Sequence, residues 1–310
     1  MNQRNLHINS LQSVNVEMAK PEWLSIKPAS TEKYNVIKER VKELGLHTVC
    51  VEAHCPNITE CWSSGTATFM VLGDLCTRGC HFCAVRKSQS GISVDKMEPE
   101  KLAQAIKEWN LDYVVITSVC RDDLPDQGSS HFARCVEEIK KNAPETLVEV
   151  LIPDFRGDTE SLKRIVEAKP DVIGHNIETV RRLSPEVRDK RASYEQSMAV
   201  LKSVKSSSKR VYTKSSMMLG LGETEEEIIE AMKDLRNANV DFLAIGQYLR
   251  PLSNGFYSEV KEYVTPERFE KLRKKALELG FLYCAAGPFV RSSYKAGEFF
   301  IKNIVLQAKQ

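Results

Sequence analysis

From residue 67 onward the chain alternates short apolar runs with charged segments of helical period, six times in succession. The apolar runs lie at 67–73, 113–119, 147–153, 171–177, 210–219 and 242–249. The helical segments lie at 98–109, 131–142, 159–168, 194–204, 224–237 and 265–279. Thr224 before a run of Glu, and Thr265 followed by Pro266, are credible helix starts. Six strand–helix units in a row predict a parallel sheet with helices outside it. Right-handed crossovers curl such a series into an open, partial barrel; a flat doubly wound sheet is the competing arrangement, and periodicity alone does not separate them. In both, function belongs at the C-terminal ends of the strands.

The flanks read differently. Pro21, Trp23 and Pro28 sit in an irregular polar stretch, and 31–46 carries Val36, Ile37, Val41 and Leu44 at the spacing of one amphipathic helix ending at Gly45. Beyond residue 279 come a short apolar stretch, Gly287-Pro288, and Arg291-Ser292-Ser293-Tyr294. The expected organisation is an N-terminal extension (1–62), a barrel (63–285) and a C-terminal extension (286–310). With 44 Lys+Arg against 42 Asp+Glu the formal net charge is +2, too small for a general nucleic-acid-binding field. No apolar run approaches the length of a bilayer span. Residues 1–20 show neither the apolar core of a secretory signal nor an Arg-rich transit pattern, so a cytoplasmic location is expected.

Six of the nine Cys fall between Cys50 and Cys83. A chain of 310 residues needs no bridges to fold, and crowded Cys in a reducing compartment point to metal. The second triplet, Cys76-Thr77-Arg78-Gly79-Cys80-His81-Phe82-Cys83, begins three residues after the first predicted strand. Three thiolates this close bind one face of an iron–sulfur cube and leave one iron open for a small chelating molecule. Zinc, or buried free thiols, are the alternatives; zinc prefers paired Cys-x2-Cys units closing a tetrahedron, and no fourth Cys or His stands at that spacing. The first triplet is Cys50, Cys55 and Cys61, separated by four and five residues. Its spacing alone leaves open a second cluster or a metal site that includes His54. Cys120, Cys135 and Cys284 fit no spacing and read as buried structural thiols.

The second triplet, with an aromatic residue before its last Cys and its place after the first strand, resembles the defining motif of the radical S-adenosylmethionine (SAM) superfamily. Both triplets together with Arg291-Ser292-Ser293-Tyr294 resemble the lipoyl synthase family. Further similar stretches lie at 117–126, 151–157, 174–180, 214–223 and 245–251, so that the resemblance runs from about residue 21 to 297. The family's fold is implied with it: a partial (β/α)6 barrel of the radical SAM type, with extensions carrying an auxiliary cluster. The loop departs from many members at Gly79, His81 and Ala84, and 253–263 looks individual.

The resemblance implies two 4Fe-4S clusters and SAM. Cys76, Cys80 and Cys83 would hold the cluster that cleaves SAM to a 5′-deoxyadenosyl radical, able to take hydrogen from an unactivated carbon. Cys50, Cys55 and Cys61 would hold the auxiliary cluster, with Ser293 (Ser292 as second choice) as its fourth ligand. That cluster would be consumed to put sulfur on C6 and C8 of an octanoyl-lysine. Ser118, Asn176, Glu178, Arg191, Gly220, Gln247 and Tyr248 are the candidate SAM contacts. The implied partners are an octanoylated lipoyl-carrier domain of a 2-oxoacid dehydrogenase complex or the H-protein of glycine cleavage, an electron donor such as ferredoxin or flavodoxin, and an iron–sulfur carrier for cluster repair. Asp122-Asp123 reads as a loop turn, and the basic stretch 202–210 as a solvated face or a dock for an acidic carrier domain. Two other readings compete: another radical SAM sulfur inserter, of the biotin synthase or methylthiotransferase kind, and a non-enzymatic iron–sulfur protein.

Overall fold

The computed structural model describes residues 19–25, 32–53, 55–63, 68–252 and 255–294. The first helix, α1 (Glu32–Glu43), leads into β1 (His47–Thr48) and the short helices α2 (Val49–Glu52) and α3 (Ile58–Ser63). Seven strands follow: β2 (Thr68–Val71), β3 (Tyr113–Ser118), β4 (Leu147–Leu151), β5 (Val172–Gly174), β6 (Tyr212–Leu219), β7 (Phe242–Gln247) and β8 (Tyr283–Gly287). Crossing between them are α4 (Glu98–Glu108), α5 (Ser129–Asn142), α6 (Thr159–Glu167), α8 (Tyr194–Ser207), α9 (Glu225–Asn237) and α10 (Pro266–Glu278), with the one-turn α7 (Ser184–Val187) before α8.

The strands lie side by side in chain order, β1 antiparallel to β2 and the remainder parallel. This order decides between the two arrangements that periodicity left open. A doubly wound sheet needs a point where strand order reverses; a sheet that always advances in one direction with right-handed crossovers puts all its helices on one face. Such a sheet curls, and because β1 and β8 are its two ends it stays an open barrel. The predicted strands and helices all form. Two strands were not expected: β8, and the two-residue β1. β5 is shorter than its apolar run because the chain leaves the sheet at His175 and returns only as a single bridge, Glu178 to Met217.

One end of the barrel is closed. Tyr113, Leu147, Val172, Tyr212, Phe242 and Tyr283, all at strand starts, pack together there. Just inside, the Lys214 ammonium donates to both Glu149 oxygens at 2.9 and 3.1 Å, and the Tyr113 hydroxyl donates to the same carboxylate at 2.6 Å. The opposite end, where the strands finish, remains open.

Candidate active site

A cavity of about 620 Å³ occupies that open end. Its wall includes Cys76, Cys80 and Cys83 from the loop after β2, Ser118 and Cys120 from the end of β3, and Asn176 and Glu178 from beyond β5. Gln247 and Tyr248 come from the end of β7, and Ser292 and Ser293 from the chain's last described turn.

The cysteine loop is held by its neighbours more than by itself. Cys76 N–H donates to Arg86 O, Thr77 N–H to Cys120 O, His81 N–H to Val187 O and Gly79 N–H to Asp189 Oδ2, all within 2.7–3.0 Å. Asp189 N–H in turn donates to Cys80 Sγ at 3.3 Å. Beneath the loop the buried Arg78 guanidinium donates to both oxygens of Asp122 at 2.9 Å and to Asp154 at 2.7 Å. Burial alone would raise Asp122, but hydrogen bonds from Arg78 and Thr77 outweigh it and hold the carboxyl well below the usual range. Asp122 is therefore an anchor of the loop and stays ionised, more than the simple turn residue its sequence context suggests.

Burial pushes the Cys80 thiol up to about 11 and that of Cys83 to about 12, so binding a metal there must expel protons. A hydrogen bond from Cys120 instead lowers Cys76. Cys120 is thus no spare thiol: it lines the cavity beside a proposed ligand, whereas Cys135 and Cys284 lie in the packed core.

The SAM-contact candidates separate. The Ser118 hydroxyl is buried on the cavity wall with no hydrogen-bond partner among the described residues, a polar group left over for a ligand. Asn176 and Glu178 face the same space; Glu178 sits at φ 67°, and burial raises its carboxyl although Arg188 and Asn176 pull it back. Gln247 reaches the wall, but its amide is spent. It donates to the carbonyls of Leu219, Tyr248 and Glu262, and its oxygen accepts from Val264 N–H. The Tyr248 hydroxyl donates to Ser258 O at 2.8 Å.

Two candidates lie elsewhere. Gly220 is not on the wall: at φ +96° it packs where a Cβ would stand 2.3 Å from Gln247 Nε2 and from Glu262 O, so its smallness serves packing behind the cavity. Arg191 is also off the wall, because its guanidinium is drawn to both oxygens of Asp189 and to Thr77 O, clamping the cysteine loop from outside. An arginine close in sequence that does line the cavity is Arg188, three residues earlier and tied to Ser197 Oγ at 2.8 Å. Sequence reasoning missed it, since two arginines so close offer no signal as to which turns inward. The basic stretch 202–210 runs from the end of α8 to the start of β6, hence at the closed end of the barrel, away from the cavity.

Cys50 in α2, Cys55 in the link between α2 and α3, and Cys61 in α3 line a second, smaller cavity together with Ser293, Arg291 and Tyr294. The C-terminal segment is pinned onto them. Asn57 Nδ2 donates to Phe289 O at 2.7 Å, and the Tyr294 hydroxyl donates to Glu60 at 3.1 Å. Cys55, Arg291 and Ser293 border both cavities, so the two sites share one wall. His54, the other candidate in the first triplet, lies outside the described residues. Each triplet thus presents three thiols to a common space with oxygen groups nearby, a donor set that fits an iron–sulfur cluster.

Residues 70–235 match the model of the Radical SAM superfamily. Over 284 residues the chain is 53% identical to a lipoyl synthase of the bacterium Anaeromyxobacter, covering 92% of this chain and 96% of that one. It is 53% identical over 291 residues to the apicoplast lipoyl synthase of Plasmodium falciparum, covering 94% and 70% respectively. The chain belongs to the lipoyl synthase family. The chloroplastic lipoyl synthase of Arabidopsis thaliana is a third relative, 53% identical over 294 residues, covering 93% and 74%. Among solved structures, methylornithine synthase aligns with a TM-score of 0.53 at 14% identity, covering 78% of this chain and 80% of that one. The hydrogenase maturase HydG from Carboxydothermus hydrogenoformans aligns at 0.54 and 15%, covering 76% and 66%. These two speak for the radical SAM fold alone. As a lipoyl synthase family member the chain is a radical SAM enzyme, and the family implies a 4Fe-4S cluster, SAM and a lipoyl-carrier protein as substrate.

Proposed function

We propose that this enzyme makes the lipoyl cofactor in place, inserting sulfur at C6 and C8 of an octanoyl-lysine on a carrier domain. The observation that carries the reading is the shared wall: Cys55 and Ser293 border both the barrel cavity and the auxiliary one. A carbon activated in the first is then within reach of a sulfur source in the second. Loaded, the two sites would supply one-electron cleavage of SAM, with hydrogen removal from an unactivated carbon, and a sulfur to replace that hydrogen.

In this reading Cys76, Cys80 and Cys83 hold the radical cluster, and Cys50, Cys55, Cys61 and Ser293 hold a second one. Ser293 is preferred to Ser292 because it alone of the pair borders the auxiliary cavity, while Ser292 donates to Asn176. The Ser118 hydroxyl takes the methionine end of SAM, Asn176 and Glu178 take the ribose side, and Arg188, in place of Arg191, offers a cationic partner. Phe82 lines the cavity between two ligands and keeps water from them. Gln247 and Gly220 shape the adenine side by fixing backbone, and the Gln247 side chain makes no contact with SAM.

The carrier is an octanoylated domain of a 2-oxoacid dehydrogenase complex or the H-protein. Ferredoxin or flavodoxin serves as reductant, and an iron–sulfur carrier repairs the consumed cluster. A cytoplasmic location belongs to the same reading and is tested by fractionating cells that express the protein. The deciding experiment for function is mass spectrometry of an octanoyl-lysine peptide incubated anaerobically with protein, SAM and reductant. Gain of two sulfurs with hydrogen lost at C6 and C8 is expected; sulfur at one carbon only, or SAM cleavage without sulfur, would remove the proposal.

A further inference from the structure

Trp62 heads the largest fully buried side chains, at 1% exposure, and its indole N–H has no hydrogen-bond partner of ordinary geometry among the described residues. A buried donor left unmade costs about 1–3 kcal/mol, so an orphan in the packed core needs an explanation. The ring cannot turn to find another acceptor. It follows Cys61 in α3 and packs against Tyr34 of α1, centroid to centroid 5.3 Å, with Ile37 and Val41 in the same apolar cluster. Its polar neighbour is the sulfur of Cys50, which also takes the Thr68 backbone N–H; both contacts favour the thiolate against the burial that pushes this thiol up to about 11.

We propose that the Trp62 indole N–H is a donor reserved for the Cys50 sulfur once that sulfur is bound to iron. The inference rests on the reading of Cys50 as a ligand. A thiolate bound to iron stays negative and accepts hydrogen bonds more strongly than a neutral thiol. An N–H aimed at it draws off charge and steadies the iron–sulfur bond, as outer partners do for other metal ligands. A site that gives up its sulfur must lose iron without scattering its remaining ligands. A hydrogen bond on the Cys50 sulfur would steady one corner during that loss.

The test uses the full chain with Cys76, Cys80 and Cys83 changed to Ala, so that only the auxiliary site is read, reconstituted with iron and sulfide. Trp62→Phe keeps a ring on Tyr34 and removes the N–H. Iron release to a chelator is expected to be roughly tenfold faster in the Phe variant. Equal release rates overturn the inference alone; a background that takes up no iron overturns the ligand reading and the inference with it. A second measurement needs no substitution at Trp62: with indole nitrogen labelled as 15N, pulsed EPR of the reduced cluster should show coupling to one tryptophan nitrogen. Absence of that coupling overturns the inference even where the Phe variant folds poorly.

Discussion

Ser292 Oγ donates a 3.0 Å hydrogen bond to Asn176 Oδ1, joining residues 116 apart in sequence, while the next side chain, Ser293, borders the auxiliary cavity. Both serines line the barrel cavity, but of the two only Ser293 also borders the auxiliary one. Their variants should separate cleanly. Ser293→Ala is expected to lower auxiliary iron and abolish sulfur insertion while SAM cleavage continues. Ser292→Ala should keep both clusters and weaken SAM binding about fivefold, the size of one lost neutral hydrogen bond. Iron per chain and 5′-deoxyadenosine formation, measured together, check the split.

Gly246 offers a way to disturb the same segment without touching a ligand. A Cβ there would stand 2.0 Å from Val290 O and 3.0 Å from Val290 C, both backbone atoms that cannot swing aside as a side chain can. Gly246→Ala should therefore push 290–294 off the barrel, costing ~2 kcal/mol or more of stability by overpacking. The auxiliary site should lose iron in preference to the radical site. Equal loss from both sites, or no loss, would show that the segment is held independently of β7.

The strands were legible in the sequence because each apolar run is short and bounded by a charged helix, and from that follows which end of the sheet holds the site. β8 escaped because after Tyr283 it runs Cys284-Ala285-Ala286-Gly287, small residues with little β-character, and β1 because two residues carry no period. The two cysteine triplets were legible as spacing, and each is gathered around one cavity. The SAM side was less so, because a residue's place at a strand end does not say where its polar atoms turn. Gln247 spends its amide on three carbonyls, and Arg191 closes onto Asp189 while Arg188 turns inward. Cys120 looked idle because its partner, Cys76, is 44 positions away and on another loop.

Arg78 is the pin beneath the radical loop, and its removal should be costly. Its guanidinium and the carboxylates of Asp122 and Asp154 are all 4% exposed or less. Arg78→Met leaves two buried carboxylates short of their cation, a loss of about 3–5 kcal/mol. Arg156 and Gln196 still donate to them, which favours the lower end. Both carboxyls titrate below their unfolded values, so the stability they contribute is present above about pH 4 and lost as pH falls further. Urea unfolding at pH 7 and pH 3 should show a large gap between the wild type and Arg78→Met at the first and a smaller one at the second. Arg78→Lys should recover only part of the stability, since one ammonium cannot replace a fork spanning two carboxylates.

His175 sets a second pH dependence, at higher pH and of a different origin. The ring is buried beside the cavity, with Nδ1 3.0 Å from Ile152 O and Nε2 2.8 Å from Ser197 Oγ. The carbonyl can only accept, so Nδ1 carries the proton. Arg188 donates to Ser197 Oγ, which leaves the serine hydroxyl hydrogen to point at Nε2. The network thus specifies a neutral imidazole. Burial first, then the nearby Arg188 charge, lowers its pKa to about 4. Because the folded value lies below the unfolded one of about 6.5, the unfolded chain binds the extra proton in between. Stability is therefore full above about pH 6.5 and falls as pH drops towards 4, by about 3 kcal/mol in all from this group. In His175→Gln the slope between pH 6.5 and 4 should vanish even if the variant is less stable throughout, whereas the steeper loss below pH 4, which belongs to Asp122 and Asp154, should remain. Unfolding free energies at half-unit pH intervals for both proteins test this; an unchanged slope in the variant would assign the dependence to another group.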